Sequence, residues 1–142
     1  MELLLDSGQL PVKNPPLILA VDDDEDNLVL LTEVLEAMKC SLITATNGQT
    51  ALKLAQNCQP DLILLDVMLP DVNGLEVVHR LRQNPQTMTI PVIAITALAR
   101  AEDRERVFLA GCNNYISKPY MLDDLEALVR SYLDQIPSVA SL

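Results

Sequence analysis

The sequence predicts an α/β fold in which a five-stranded parallel sheet is doubly wound by helices. Three observations predict it. Short, nearly continuous apolar runs recur along the 142 residues, and segments of helical periodicity separate them. Most of the runs are apolar at successive positions, so both faces of each strand are covered, as in a parallel sheet flanked by helices. Turn residues fall between almost every run and the helical segment beside it.

The elements follow in order. Leu17–Val21 is the first apolar run, and Leu31, Val34, Leu35 and Met38 then repeat at i, i+3, i+4, i+7. Ser41–Ala45 is the second run. Asn47-Gly48 punctuates the chain before a weaker stripe of Ala51, Leu52 and Ala55, and Gln59-Pro60 ends that stripe. Leu62–Leu65 is the third run. Asn73-Gly74 precedes a narrow stripe of Leu75, Val78 and Leu81, and Asn84-Pro85 follows it. Val92–Ile95 is the fourth run. The segment from Ala101 to Gly111 is the least amphipathic, carrying Glu102, Asp103, Arg104, Glu105 and Arg106 around Val107 and Phe108. Tyr115–Ser117 is the fifth run, and Leu125, Leu128, Val129, Tyr132 and Leu133 form the last helical stripe before Pro137.

Strict strand–helix alternation implies right-handed βαβ crossovers. With five strands, the flavodoxin-like order 2-1-3-4-5 is the common solution. The expected organisation is an irregular arm over residues 1–16, where Gly8, Pro11, Pro15 and Pro16 fall, one domain over 17–134, and a short tail over 135–142.

Composition narrows the function. Hydrophobic residues make up 49% of the chain and the net charge is −10. Such an acidic chain lacks the basic face that a phosphate backbone requires, so nucleic acid is not an expected partner. No apolar run reaches membrane-spanning length. Leu3-Leu4-Leu5 is flanked by Glu2 and Asp6, whereas a signal peptide carries positive charge before a longer apolar stretch. The three cysteines, Cys40, Cys58 and Cys112, lie far apart without metal-ligand spacing and read as reduced thiols. The expected compartment is the cytoplasm.

Chemistry collects where the strands end. Asp22, Asp23 and Asp24 follow the first strand, Asp66 follows the third, Thr96 and Ala97 follow the fourth, and Lys118-Pro119 follows the fifth. Open parallel sheets bind ligands outside the carboxyl ends of their strands, at the switch point between strands 1 and 3 in this order. Asp22, Asp23 and Asp66 would repel one another there, and crowded carboxylates recruit a cation. An all-oxygen cluster suits a hard divalent ion such as Mg²⁺. Asp66 would then be placed to act as a carboxylate nucleophile toward phosphorus, with Lys118 and Thr96 facing the phosphoryl oxygens. Asp24 and Asp26 stand just before a helix and read as capping residues. Taken singly, Asp66, Thr96 or Lys118 carries little weight. Their coincidence at the ends of central strands carries the reading.

These segments resemble the receiver domain family of two-component response regulators. The run Leu17-Ile18-Leu19-Ala20-Val21-Asp22-Asp23-Asp24 resembles that family's first strand and acidic pair. The run Asp61-Leu62-Ile63-Leu64-Leu65-Asp66-Val67-Met68-Leu69-Pro70, continuing to Gly74, resembles its phosphoacceptor strand and loop. Pro91–Ala97 and Tyr115–Pro119 resemble its remaining two motifs, so the likeness covers roughly residues 16–134. The resemblance implies a single-domain, chemotaxis-receiver-like regulator that accepts a phosphoryl group on Asp66 from a histidine kinase or a histidine phosphotransfer protein. It implies Mg²⁺ held by Asp22, Asp23, Asp66 and the backbone carbonyl of Met68. Thr96, Ala97 and Lys118 would hold the phosphoryl group, Lys118-Pro119 would be a cis peptide, and Thr96 and Tyr115 would form the switch. That switch would repack the face of helix 4, strand 5 and helix 5 for an unknown protein target or for a second copy in a homodimer. Met68 and Leu98 stand at the two positions that tune self-dephosphorylation in this family. Both are apolar, which implies a slowly decaying phosphorylated state.

The protein is expected to be no enzyme beyond assisting its own phosphorylation and dephosphorylation. A haloacid-dehalogenase-like phosphatase is the enzymatic alternative, but it needs a second Asp two residues after the nucleophile, where Met68 stands. A flavin-binding protein of this fold needs a phosphate-cradling loop where the chain has Asp22-Asp23-Asp24. A receiver fragment of a hybrid kinase is a further alternative, against which Met1 and the arm count. His79, the only histidine, is expected at the surface.

Overall fold

The computed structural model describes residues 15–97 and 100–135; Leu98, most of the expected arm and most of the expected tail lie outside them. Five strands and five helices alternate: β1 Leu17–Val21, α1 Glu25–Ala37, β2 Ser41–Ala45, α2 Gly48–Cys58, β3 Leu62–Asp66, α3 Gly74–Gln83, β4 Val92–Thr96, α4 Ala101–Leu109, β5 Asn114–Ser117 and α5 Leu122–Leu133. The strands pair in parallel in the order β2-β1-β3-β4-β5, which is the expected 2-1-3-4-5.

Alternation along the strands sorts side chains into two cores. Leu19, Val21, Ile63, Leu65, Val92 and Ala94 face a layer containing Ala51 and Ala55 of α2, Val77, Val78 and Leu81 of α3, and Val107 of α4. Ile18, Ala20, Leu62, Leu64, Ile93 and Ile95 face the other layer, with Leu28, Leu31 and Leu35 of α1 and Leu125 and Val129 of α5. Every residue of β3 and β4 is buried. That double coverage is why these runs lack polar alternation, and each full-size aliphatic side chain buried there contributes about 2 kcal/mol. The edge strands differ. Ser41 and Thr44 of β2 are exposed, and β5 is only partly buried along its length.

Two strands run one residue past their apolar stretch. Asp66 pairs with Ile95, and Thr96 pairs with Ser117, so the ladder carries both residues as the last positions of β3 and β4. β5 begins at Asn114, one residue before the expected start. The Asn-Gly pairs open helices: Asn47 and Asn73 cap α2 and α3 by accepting the Thr50 and Leu75 amides, with Gly48 and Gly74 as first helical residues. Cys40 and Cys112 are buried and Cys58 is exposed, all as free thiols. Burial pushes the Cys112 thiol up to about 11, which keeps it protonated and inert. His79 is exposed. No helix among the described residues is long and apolar enough to cross a membrane.

Candidate functional site at the carboxyl edge

Register brings the acidic residues together. Ala20 pairs with Leu64 and Val21 with Leu65, so one further step sets Asp22 beside Asp66 on adjacent central strands. Both follow the parity of residues facing α1 and α5, so their side chains leave the sheet on one side. Asp22 and Asp66 are almost fully buried, Asp23 is exposed, and one carboxylate oxygen from each lies within 4.8 Å of the others. Lys118, just past β5, reaches across: its Nζ lies 3.0 Å from Asp66 Oδ2 and 3.3 Å from Asp22 Oδ2. Thr96 is buried at the end of β4, Ala97 is exposed beside it, and the Lys118-Pro119 peptide is cis.

Each carboxylate is oriented by its own surroundings. Asp22 Oδ1 accepts the Asp24 amide at 2.9 Å, and its Oδ2 accepts from Asn27 Nδ2 at 3.2 Å. Asp24 serves as the N-cap of α1 and accepts the Asp26 amide, the capping role its position suggested. Asp66 Oδ1 accepts the Met68 amide at 2.9 Å, which leaves Oδ2 toward Lys118. Gly74 keeps this geometry tight: a Cβ there would lie 2.6 Å from Val67 Cα and 2.8 Å from the Asp66 carbonyl oxygen, so only glycine lets α3 start this close to the strand end.

The electrostatics are unbalanced, with three carboxylates facing one ammonium. Burial pushes the Asp66 carboxyl up, against the downward pull of the Met68 amide and of Lys118, and the Asp22 charge adds to the upward push. Burial works against the Lys118 ammonium, but its hydrogen bonds and charge pairing with Asp66 and Asp22 outweigh this and hold its pKa above the ordinary value. Asp23 and Asp66 line an open cleft of about 660 Å³ together with Met68, Asn73, Ala97 and Lys118. Their all-oxygen donor set fits a hard divalent cation, whose charge would balance the excess. The Met68 side chain stands at the mouth, 61% exposed.

Tyr115 lies apart from the cleft, on β5. Its ring meets Phe108 edge-on at 5.9 Å, and the Arg104 guanidinium stands over it at 5.6 Å. Sequence reasoning missed Asn27 as a partner of Asp22, although its position five residues on, in the first turn of α1, was a usable signal. It also missed Asp71, which accepts the first two amides of α2, more than twenty residues earlier.

Carboxylates and an ammonium gathered at the carboxyl edge of a 2-1-3-4-5 sheet define a chemotaxis-receiver-like α/β signalling domain. The chain belongs to the response regulator receiver domain family, which matches residues 18–130. It is 42% identical over 119 residues to the polar-differentiation response regulator DivK of Brucella anthropi, covering 84% of this chain and 97% of that protein. Among solved structures, a putative response regulator from Chloroflexus aurantiacus superposes with a TM-score of 0.80 at 32% identity, covering 85% of this chain and 99% of that one. A BeF3-activated DrrB receiver domain gives 0.75 at 30% identity, covering 85% and 99%. The chemotaxis response regulator CheY4 of Vibrio cholerae gives 0.79 at 25% identity, covering 83% and 98%.

Proposed function

We propose that this receiver is a cytoplasmic phosphorylation switch that takes a phosphoryl group on Asp66 from a histidine kinase or histidine phosphotransfer protein. The observation that carries this reading is the juxtaposition of Asp66 with Asp22, Asp23 and Lys118 at the edge of an open cleft. An Asp66 carboxylate oxygen attacks phosphorus, the phosphorus–nitrogen bond to the donor imidazole breaks, and the imidazole leaves with the bond's electron pair and takes up a proton. Asp22, Asp23, Asp66 and the Met68 carbonyl would hold Mg²⁺, which would supply positive charge to offset the carboxylates and the incoming phosphoryl oxygens. Lys118 leaves its pairing with Asp66 to meet the charge on the new acyl phosphate. The Thr96 hydroxyl and the Ala97 amide supply hydrogen bonds to the remaining oxygens. BeF3 joined to an oxygen has the shape and charge of a phosphoryl group, so a BeF3-activated relative of this fold supports the assignment.

Movement of Thr96 toward the phosphoryl group frees space into which Tyr115 turns. That change repacks the α4–β5–α5 face, a two-state element biased by a local charge event. Phe108 and Leu109 expose apolar surface on α4, 46% and 84% respectively, which suits a protein target or a second copy of the chain. The phosphatase alternative needs a carboxylate where Met68 stands, and a thioether supplies no proton. Apolar Met68 likewise gives no group to orient an attacking water, so the acyl phosphate decays slowly; Leu98, the second tuning position, lies outside the described residues.

Incubation with Mg²⁺ and a small phosphoramidate tests this by intact mass. One phosphoryl group is gained by the wild type and none by Asp66→Asn or in EDTA, and the adduct persists well beyond seconds after the donor is removed. A gain in Asp66→Asn overturns the acceptor assignment, and decay within seconds overturns the slow-decay reading.

A further inference from the structure

One wall of the cleft is irregular chain. Val67, Met68, Leu69, Pro70 and Asn73 all line it, and they belong to the segment between β3 and α3. A segment without ladder or helix bonds needs other ties to hold a fixed position. Its near end has three: the Val67 amide donates to the Ile95 carbonyl at 3.3 Å, the Met68 amide to Asp66 Oδ1, and the Gly74 amide to the Val67 carbonyl at 2.8 Å.

Its far end is held by Asp71. Oδ1 accepts the Gly48 amide at 2.8 Å and the Val72 amide at 2.9 Å, while Oδ2 accepts the Gln49 amide at 3.0 Å. Gly48 and Gln49 are the first two residues of α2, whose opening amides have no partner within the helix. Asn47 caps the third, Thr50, from the helix's own chain. A carboxylate 23 residues further on therefore completes this helix end. The approach is close enough to need glycine: a Cβ on Gly48 would collide with the Val72 side chain and lie 2.9 Å from Val77 Cγ2. The Gly48 amide above all, then those of Gln49 and Val72, hold the Asp71 carboxyl below the ordinary carboxylate range, so it stays charged at neutral pH at the positive end of α2.

We propose that Asp71 is a positioning residue for the cleft: by clamping the 67–73 segment to the start of α2, it fixes the Met68 backbone in place for metal and phosphoryl binding. The inference rests on the phosphoacceptor reading for its consequence, and on the hydrogen bonds of Asp71 for its mechanism. Asp71 touches neither ligand and acts through the backbone of the segment it holds. Such outer partners typically set about tenfold or more of metal affinity.

The test uses the full chain as wild type, Asp71→Ala, Asp71→Asn and Asn47→Ala, with Mg²⁺ titrated by amide NMR and Met68 amide exchange measured alongside. Asp71→Ala weakens Mg²⁺ binding about tenfold and speeds Met68 exchange. Asp71→Asn keeps one acceptor oxygen and falls between it and wild type. Asn47→Ala strips α2 of its other side-chain cap but leaves the clamp, so its Mg²⁺ affinity stays within about twofold of wild type. Equal weakening in Asn47→Ala and Asp71→Ala overturns the proposal, since the effect would then be helix stability alone. Wild-type Mg²⁺ affinity and Met68 exchange in Asp71→Ala overturn it as well. A wild-type protein that binds no Mg²⁺ sinks the phosphoacceptor reading instead; Met68 exchange then decides the clamp, and no change in Asp71→Ala overturns it.

Discussion

The two edges of the parallel sheet solve the same problem in opposite ways. At both, strands stop and leave backbone groups and polar side chains near the surface of a buried sheet. At the amino edge, among the described residues, side chains close these gaps from within the chain. Arg82 donates to the carbonyls of Gly111, Met88 and Ile90 and to Asn113 Oδ1, at 2.7 to 3.1 Å. Asn113 Oδ1 also accepts the Val92 amide, and Asp61 Oδ2 accepts the Leu17 amide. The buried Thr87 hydroxyl donates to the Leu81 carbonyl at 2.7 Å. The carboxyl edge instead holds two buried carboxylates and an exposed third against a single ammonium, open to a cleft. Matched polar groups serve stability, whereas a surplus of one charge leaves a place for a ligand of the other.

Breaking the closed edge has the largest expected effect. Arg82→Ala leaves four acceptors in two loops without their shared donor and costs about 3 kcal/mol in urea unfolding. Mg²⁺ affinity of the folded variant stays within about twofold of wild type, because the two edges share no polar partner. A stability loss below about 1 kcal/mol, or a matching loss of Mg²⁺ affinity, would show that the edges are not separate in this way.

The contrast also explains what could be read in the sequence. The fold was legible because β3 and β4 are covered on both sides and so read as unbroken apolar runs, while capped helices separate them. Asp22, Asp66 and Lys118 were legible because strand ends are readable, and a known strand order converts strand ends into neighbours. Asp71 and Arg82 were not. Each acts on partners distant in sequence, 22 to 23 residues away for the amides at the start of α2 and as many as 31 for Asn113. Their types, an Asp in a loop and an Arg at a helix end, match any solvated surface. Only register and loop packing reveal them. Val77 and Leu28 were missed although both keep helical spacing with the stripes identified, Leu28 three residues before Leu31 and Val77 four before Leu81.

Relieving the open edge has the next largest effect, with the opposite sign. The Asp66 pKa is raised in the folded state, so protonation favours folding. Its contribution is fully present below the unfolded value of 3.8 and is lost as pH rises through the folded value, so at neutral pH ionised Asp66 opposes folding. Lys118, also raised, works the other way at neutral pH, because its contribution is lost only as pH rises above 10.5. In metal-free buffer at pH 7, Asp66→Asn therefore gains stability on the order of 1 kcal/mol, against the usual direction of a buried substitution. The amide oxygen can still accept from Met68, and Lys118 still has Asp22. Unfolding measured against pH should show the gain shrinking as pH falls toward 4. A variant less stable than wild type at pH 7 would mean that the Lys118 pairing outweighs burial.

The smallest effect belongs to the α4–β5–α5 face, the proposed switch surface. Arg104 is exposed and stands 5.6 Å over the Tyr115 ring, a contact worth about 0.5–1 kcal/mol at such a site. Global stability should change no more than that in Arg104→Ala. If Tyr115 is the proposed switch and the guanidinium favours its present position, loss of the contact shifts the resting balance toward the inward ring by a factor of about two to five, the same energy expressed as a population. Tyrosine-labelled NMR of unphosphorylated protein reads this directly, as a change in the Tyr115 ring signals with Tyr120 and Tyr132 as internal references. Mg²⁺ affinity should stay as in wild type, since the cleft residues are untouched. If the ring signals stay fixed, Phe108 and the core around Val107 hold Tyr115 by themselves, and the face answers to the open edge alone.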